Sequence, residues 1–171
     1  EFTTDANGVY SYIQDISQPH FVFIQPRKST KFIKDNSTGG DCYLIGNWDI
    51  TTKTCTLTTD LDETIQIDNN NIILDGNNHT ITGTGTGNGV YLYQKTGITI
   101  KNLNIRRFNS GIQLRFSDNN NLTNNILQNN NWGCGAISLA SSNKNSVLNN
   151  IIKNNGVGIW LFPASWPPVQ I

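Results

Sequence analysis

The chain has 171 residues with 12 basic and 12 acidic side chains, so its formal net charge is zero. That length fits one domain, or one domain with a short appendage. Neutrality excludes the electrostatic footprint of a nucleic-acid binder or of a protein drawn to anionic membranes, and no apolar run reaches the ~20 residues that span a bilayer. Leu, Ile, Val and Phe supply 46 residues, well above the level of chains that stay disordered.

Composition narrows the fold class. There are 26 Asn and 18 Thr against four Ala and no Met. Asn and Thr are poor helix formers where Ala and Met are good ones. Ile, at 21 residues, leads the apolar set and favours strands. The expectation is an all-β chain with a large turn inventory. Without an initiator Met the chain reads as processed or excised, Glu1-Phe2 being a mature N-terminus or a cloning remnant.

Residues 1–39 read as an N-terminal β extension. Within it His20-Phe21-Val22-Phe23-Ile24-Gln25, bounded by Pro19 and Pro26, is a strong short strand. Phe21, Val22, Phe23 and Ile24 are candidates to cap the molecule or to be donated to a neighbour. Asn36 to Gly40 reads as a linker or wide turn. Residues 40–63 form a first coil or cap that carries Cys42 and Cys55. A disulfide between them would add about 2–3 kcal/mol in the chain-entropy model; two reduced, buried thiols are the other reading. Cys134, with no His near it in sequence, reads as a small core residue. No cysteine or histidine spacing suggests zinc, since His20 and His79 stand far apart.

Residues 64–162 repeat. Gly89-Val90-Tyr91-Leu92, Gly111-Ile112-Gln113-Leu114, Gly135-Ala136-Ile137-Ser138-Leu139 and Gly158-Ile159-Trp160-Leu161 each open on a glycine, at spacings of 22, 24 and 23. Short runs such as Ile98-Thr99-Ile100 alternate apolar and polar residues, with Asn-rich bends between them. Strands this short, joined by bends that do not reverse the chain, can pair in parallel with their counterparts one repeat later, ~4.8 Å along an axis. Leu92, Leu114, Leu139 and Leu161 then form an inward ladder, and the third repeat is shifted by one residue near Gly133–Gly135. Asn tolerates left-handed backbone at sharp bends and can stack amide on amide. Asn102, Asn125 and Asn150, 23 and 25 residues apart, are the candidates for such a ladder.

The stretch Ile72-Ile73-Leu74-Asp75-Gly76-Asn77-Asn78-His79-Thr80-Ile81-Thr82-Gly83 resembles the opening coil of right-handed parallel β-helix proteins, the pectate-lyase-like and NosD-like repeats of archaeal and bacterial surface proteins. Asn143 to Ile152, followed by Gly156-Val157-Gly158-Ile159, is similar to their later coils. Asp41-Cys42 through Cys55-Thr56-Leu57-Thr58 resembles their paired-cysteine segment. The resemblance covers roughly Asp41 to Phe162. It implies a single-chain solenoid of about four to five coils, and it is weak for activity because the fold hosts lyases, hydrolases, binders and inert scaffolds.

Enzymes of that family work with clustered carboxylates. From residue 76 onward this chain carries Asp118 alone, so the regular coils cannot assemble an acid pair, and no catalytic residue is assigned. Lys101, Arg106, Arg107 and Arg115 would contact an acidic sugar or form a solvated outer face. Asp60, Asp62, Glu63 and Asp68 offer oxygen ligands for calcium without a recognisable loop spacing; no other metal or cofactor is expected. Asn36, Asn78 and Asn121 head N-x-S/T sequons. With the cysteine pair they lean towards an extracellular, cell-surface setting.

Trp160 and Phe162 should point outward from the last coil, as Tyr91 and Tyr93 do from the first. Outward aromatics stack on sugars or are covered by a partner or by the Pro-rich tail of residues 163–171, which carries Trp166. A short solenoid also ends in an unpaired edge. Phe21 to Ile24, Trp160, Phe162 and Trp166 are therefore candidate assembly residues. The expected function is a non-catalytic, self-assembling surface filament or layer subunit, a homo-oligomer joined through its open ends. The alternative is a carbohydrate-binding module, a fragment of a larger surface protein or a degenerate polysaccharide lyase.

Overall fold

The computed structural model describes residues 3–4, 10–11, 29–130 and 135–162. The Phe21–Ile24 strand, Cys134 and the 163–171 tail with Trp166 lie outside the described residues. Strands β1 (Thr3–Thr4) and β2 (Tyr10–Ser11) pair antiparallel. From Lys31 on, the chain winds as a solenoid of about four turns.

Strand β3 (Lys31–Ile33) is followed by a single helical turn, α1 (Cys42–Ile45), and by β4 (Gly46–Asp49) and β5 (Thr54–Leu57). The successive coils then contribute three strands each. They are β6 (Ile65–Ile67), β7 (Ile73–Asp75) and β8 (Thr80–Thr82); β9 (Asn88–Tyr93), β10 (Thr99–Lys101) and β11 (Asn104–Arg106); β12 (Ser110–Arg115), β13 (Asn121–Thr123) and β14 (Ile126–Gln128); and β15 (Ile137–Ala140), β16 (Ser146–Leu148) and β17 (Ile151–Lys153). Strand β18 (Ile159–Phe162) begins a further turn. Three sheets result, a first face of β3-β6-β9-β12-β15-β18, a second of β4-β5-β7-β10-β13-β16 and a third of β8-β11-β14-β17. All neighbours in these faces run parallel except the β4–β5 hairpin.

The period-two alternation of the sequence drives this winding. In every strand of the inner coils the middle or alternate residue is apolar and faces inward, stacking on its counterpart. Ile33, Ile67, Leu92, Leu114, Leu139 and Leu161 make one continuous ladder on the first face. Cys55, Leu74, Ile100, Leu122 and Val147 make one on the second, and Ile81, Ile105, Leu127 and Ile152 one on the third. Burying a Leu or Ile side chain is worth about 1.5–3 kcal/mol, and members such as Leu92, Ile100 and Ile105 are wholly buried.

One sequence boundary moves. Lys31–Ile33 belongs to the solenoid rather than to the extension, because Ile33 stacks on Ile67 and β3 pairs with β6. The turn at Asn36–Gly40 folds straight back, with Lys34 N donating to Gly39 O and Asp41 N to Phe32 O, and so closes the outer edge of β3. The one-residue shift of the third repeat is present in the register. Gly89 and Gly111 stack on Ala136, not Gly135, as the Ile112–Ile137 register requires. A side chain at Gly111 would meet the Ala136 carbonyl and the Leu127 methyl at 2.7 Å, which explains why this position takes the smallest residues.

Residues 39–58 cap this end. Cys42 and Ile45 of α1 turn into the core, and Cys42 forms a disulfide with Cys55, Cα to Cα 5.8 Å. Closing a 13-residue separation contributes about 3 kcal/mol in the chain-entropy model.

Candidate functional site

The coils have three corners, and each is built by the same pair of residues. The first of the pair has left-handed backbone, as at Asn119, Asn124 and Asn129 and again at Lys144, Asn149 and Asn154 (φ between 55° and 57°). The second is an asparagine that points inward, at Asn120, Asn125 and Asn130 and one coil later at Asn145, Asn150 and Asn155. Each inner Asn Oδ1 accepts a backbone N–H from the coil below, from Ile98 at 2.9 Å, Leu103 at 3.0 Å and Phe108 at 3.1 Å. Each Nδ2 donates to a carbonyl of that coil, Lys95, Ile100 or Ile105, and to the Oδ1 of the Asn stacked above. Asn120, Asn125 and Asn130 are buried yet fully bonded, which removes the cost of burying an amide.

Of the three asparagines expected to stack, Asn125 and Asn150 do, at 3.0 Å. Asn102 does not. It occupies the left-handed position (φ 54°) and its Nδ2 reaches Asp75 Oδ1 at 3.0 Å, while Leu103 stands at the inward corner below Asn125. The other two ladders, Asn120–Asn145 and Asn130–Asn155, were detectable as asparagines five residues apart recurring after 25.

The terminal coil is the unusual surface. Ile159 and Leu161 point inward like Ile137 and Leu139 beneath them, yet they are 45% and 67% exposed. Leu148, Ile151 and Val157 are exposed as well. The backbone N–H groups of Asn145, Asn150 and Asn155, whose equivalents one coil down bond to Asn side chains, have no acceptor among the described residues. On the outer side Trp160 and Phe162 pack ring against ring at 4.0 Å. At the opposite end Tyr43 and Leu44, on the side of α1 turned from the core, and Ile50 are exposed.

Charged residues do not converge. Lys101 lies on the second face paired with Asp75 (3.0 Å). Arg106 lies on the third, its Nε on Thr82 Oγ1 (3.1 Å); Arg107 follows at a left-handed corner and Arg115 ends β12 on the first face. The winding thus spreads these four cations over three faces of two successive coils instead of gathering them. The calcium candidates each have a protein partner. Asp60 Oδ1 accepts Thr80 N at 2.8 Å and contacts His79 Nδ1 at 3.1 Å, Asp68 accepts from Gln66, and Glu63 pairs with Lys31. Asp62 has an interaction partner of its own. Among the described residues no three His, Cys, Asp or Glu side chains converge as metal ligands. A shallow depression lined by Thr84, Gly85, Thr86, Gly87 and Asn109 carries no ionisable side chain.

Asp75 shows how the corners bear on stability. Burial pushes its carboxyl up, but hydrogen bonds from Asn102 and the Asn77 backbone, with the Lys101 ammonium, outweigh burial and hold it below the usual carboxylate range. A depressed folded-state value means that the stabilisation is complete above the unfolded value of about 3.9 and is lost as pH falls through the folded one. Urea midpoints should therefore drop on acidification below about pH 4, and the Asp75→Asn variant should show a shallower drop over the same window.

No helix among the described residues is long and apolar enough to cross a membrane. The family model for the right handed beta helix region matches residues 29–169. No curated protein and no solved structure matches the chain. The parallel ladders on three faces and a family match over most of the chain agree, and the protein belongs to the right-handed β-helix family.

Proposed function

We propose that this protein is a non-catalytic structural solenoid of the cell surface that assembles head to tail, the open coil at 146–162 of one copy receiving the 42–50 cap of the next. The exposure of inward-facing Leu161 is the observation that carries this reading. Leaving such side chains in water forgoes up to about 1.5–3 kcal/mol each, and β16, β17 and β18 form the outermost edge among the described residues, able to template another chain. The cap supplies matching apolar surface at Tyr43, Leu44 and Ile50. Zero net charge imposes no long-range repulsion between copies. A heterologous contact of this kind, stacked along the solenoid axis so that the rotation does not close a ring, yields filaments. The disulfide favours an oxidising, extracellular setting.

A carbohydrate-binding reading has one observation in its favour. Tyr93 and Phe116 are both exposed and meet edge to face at 5.9 Å, beside Arg115, in a form that could stack on a sugar ring.

Sedimentation velocity tests the assembly. The expected result is growth of the sedimentation coefficient with concentration, abolished by Leu161→Asp on one surface and by Leu44→Asp on the other, with an equimolar mixture of the two variants stopping at dimers through their intact faces. A monomer at every concentration, or assembly indifferent to both substitutions, would reject it. Glycan-array binding lost on Tyr93→Ala, with no self-association, would instead establish the sugar reading.

A further inference from the structure

The three sequons lie in three different backbone environments, and these separate them as acceptors for sugar transfer. We propose that Asn36 is a site of N-linked glycosylation on the folded protein and that the fold withholds Asn78 and Asn121.

Asn36-Ser37-Thr38 occupies the exposed turn between β3 and α1. Asn36 Oδ1 accepts three hydrogen bonds, from Thr38 N (3.2 Å), Thr38 Oγ1 (3.2 Å) and Gly40 N (2.8 Å). This is an Asx turn, in which the side chain stands in for backbone. It commits the oxygen and leaves Nδ2, the atom that would be modified, without an acceptor among the described residues. The sequon's own hydroxyl sits on the same amide. Neither Asn36, Ser37 nor Thr38 belongs to a sheet ladder, so an enzyme can take hold of all three without breaking one.

Asn121 differs in each respect. It is the first residue of β13, paired with Thr99 on one side and Ser146 on the other, and Thr123 is paired likewise. Its side chain is half-buried, with Oδ1 shielded and lacking a hydrogen-bond partner among the described residues. Asn78 is exposed, but it is held in left-handed backbone (φ 66°), its N–H donates to Asn102 O and its carbonyl accepts Asn104 Nδ2 at 2.7 Å. Thr80 of the same sequon is fixed in β8, its N–H on Asp60. Reading either sequon requires opening a coil.

The reaction uses a lipid-diphosphate-linked oligosaccharide and an oligosaccharyltransferase. Asn36 Nδ2 attacks the anomeric carbon, the new N–C bond forms as the C–O bond to the diphosphate breaks, the lipid diphosphate leaves with that electron pair, and the amide proton passes to a carboxylate of the transferase. No redox change occurs.

The test exposes the full chain, folded and disulfide-bonded, to a detergent-solubilised transferase with its lipid-linked donor, beside a sample reduced and unfolded in advance; glycopeptide mass spectrometry reads each sequon. The folded chain should gain one glycan, at Asn36, lost in Asn36→Gln and in Thr38→Ala and retained in Thr38→Ser. The unfolded chain should be modified at all three. Absence of a glycan at Asn36 of the folded chain while the unfolded chain accepts one overturns the proposal. So does modification of Asn78 or Asn121 in the folded chain at the rate seen for Asn36. Unchanged circular dichroism of Asn36→Gln excludes loss by misfolding.

Discussion

Replacing Leu114 by alanine should lower the unfolding free energy by about 2–5 kcal/mol, the range for truncating a buried leucine. Leu114 is wholly buried between Leu92 and Leu139 in the ladder of the first face. The cavity cannot collapse readily, because the coil above and the coil below are tied to each other through parallel backbone pairing on three faces. The same substitution at Leu161, in the same ladder but at the open end and 67% exposed, should cost less than about 1 kcal/mol, since little apolar area leaves water there to begin with. Urea denaturation followed by circular dichroism, in the non-assembling Leu44→Asp background, measures both. Equal losses at the two positions would mean that the terminal coil is as well covered as the middle one, and would remove the observation on which head-to-tail assembly rests.

The second large effect concerns a polar residue. Asn125→Ala would leave the buried Leu103 N–H without its acceptor and remove the Nδ2 bonds to the Ile100 carbonyl and to Asn150 Oδ1, which keeps the backbone N–H of residue 125. The orphaned N–H costs about 1–3 kcal/mol and each of the two other lost bonds about 0.5–1.5 kcal/mol, so a loss of about 3 kcal/mol or more is expected. By contrast Asn102→Gly keeps the left-handed backbone that glycine adopts freely. It gives up the single bond to the charged, part-buried Asp75, for about 1.5 kcal/mol. The two asparagines look alike in sequence. If Asn102→Gly proved the costlier change, the assignment of the inward corner to Asn125 would be wrong.

That pair also shows where reading by spacing stops. At two of three coils the corner reads Asn-Asn, at Asn124-Asn125 and Asn149-Asn150, so either member can be matched to Asn102. The left-handed bend and the inward ladder prefer the same residue type for different reasons, one conformational and one of hydrogen bonding. Hydrogen bonds between coils decide which residue does which. Gly135-Ala136 poses the same ambiguity, because both residues are small enough for the close approach and the register of β15 on β12 picks Ala136. The four cations Lys101, Arg106, Arg107 and Arg115 are near one another along the chain. The winding turns that nearness into divergence, since a coil of about two dozen residues visits all three faces. By pattern alone Lys31–Ile33 falls in the extension, the Asn36–Gly40 turn resembling a boundary, whereas the turn folds back and seals an edge.

The sequence alone determined the winding itself. Alternation of apolar and polar residues sets which side chains face inward, and recurrence at about 22–25 residues sets what they stack on; both are local patterns carried by side-chain chemistry. Tertiary structure decided the rest, namely which of two adjacent asparagines lies inside, on which face each charge stands, which sequon remains unpaired, and that one end is sealed by α1 and a disulfide while the other leaves Ile159 and Leu161 in water. Those properties depend on hydrogen bonds and exposure between coils, and a linear pattern does not specify them until the register is fixed.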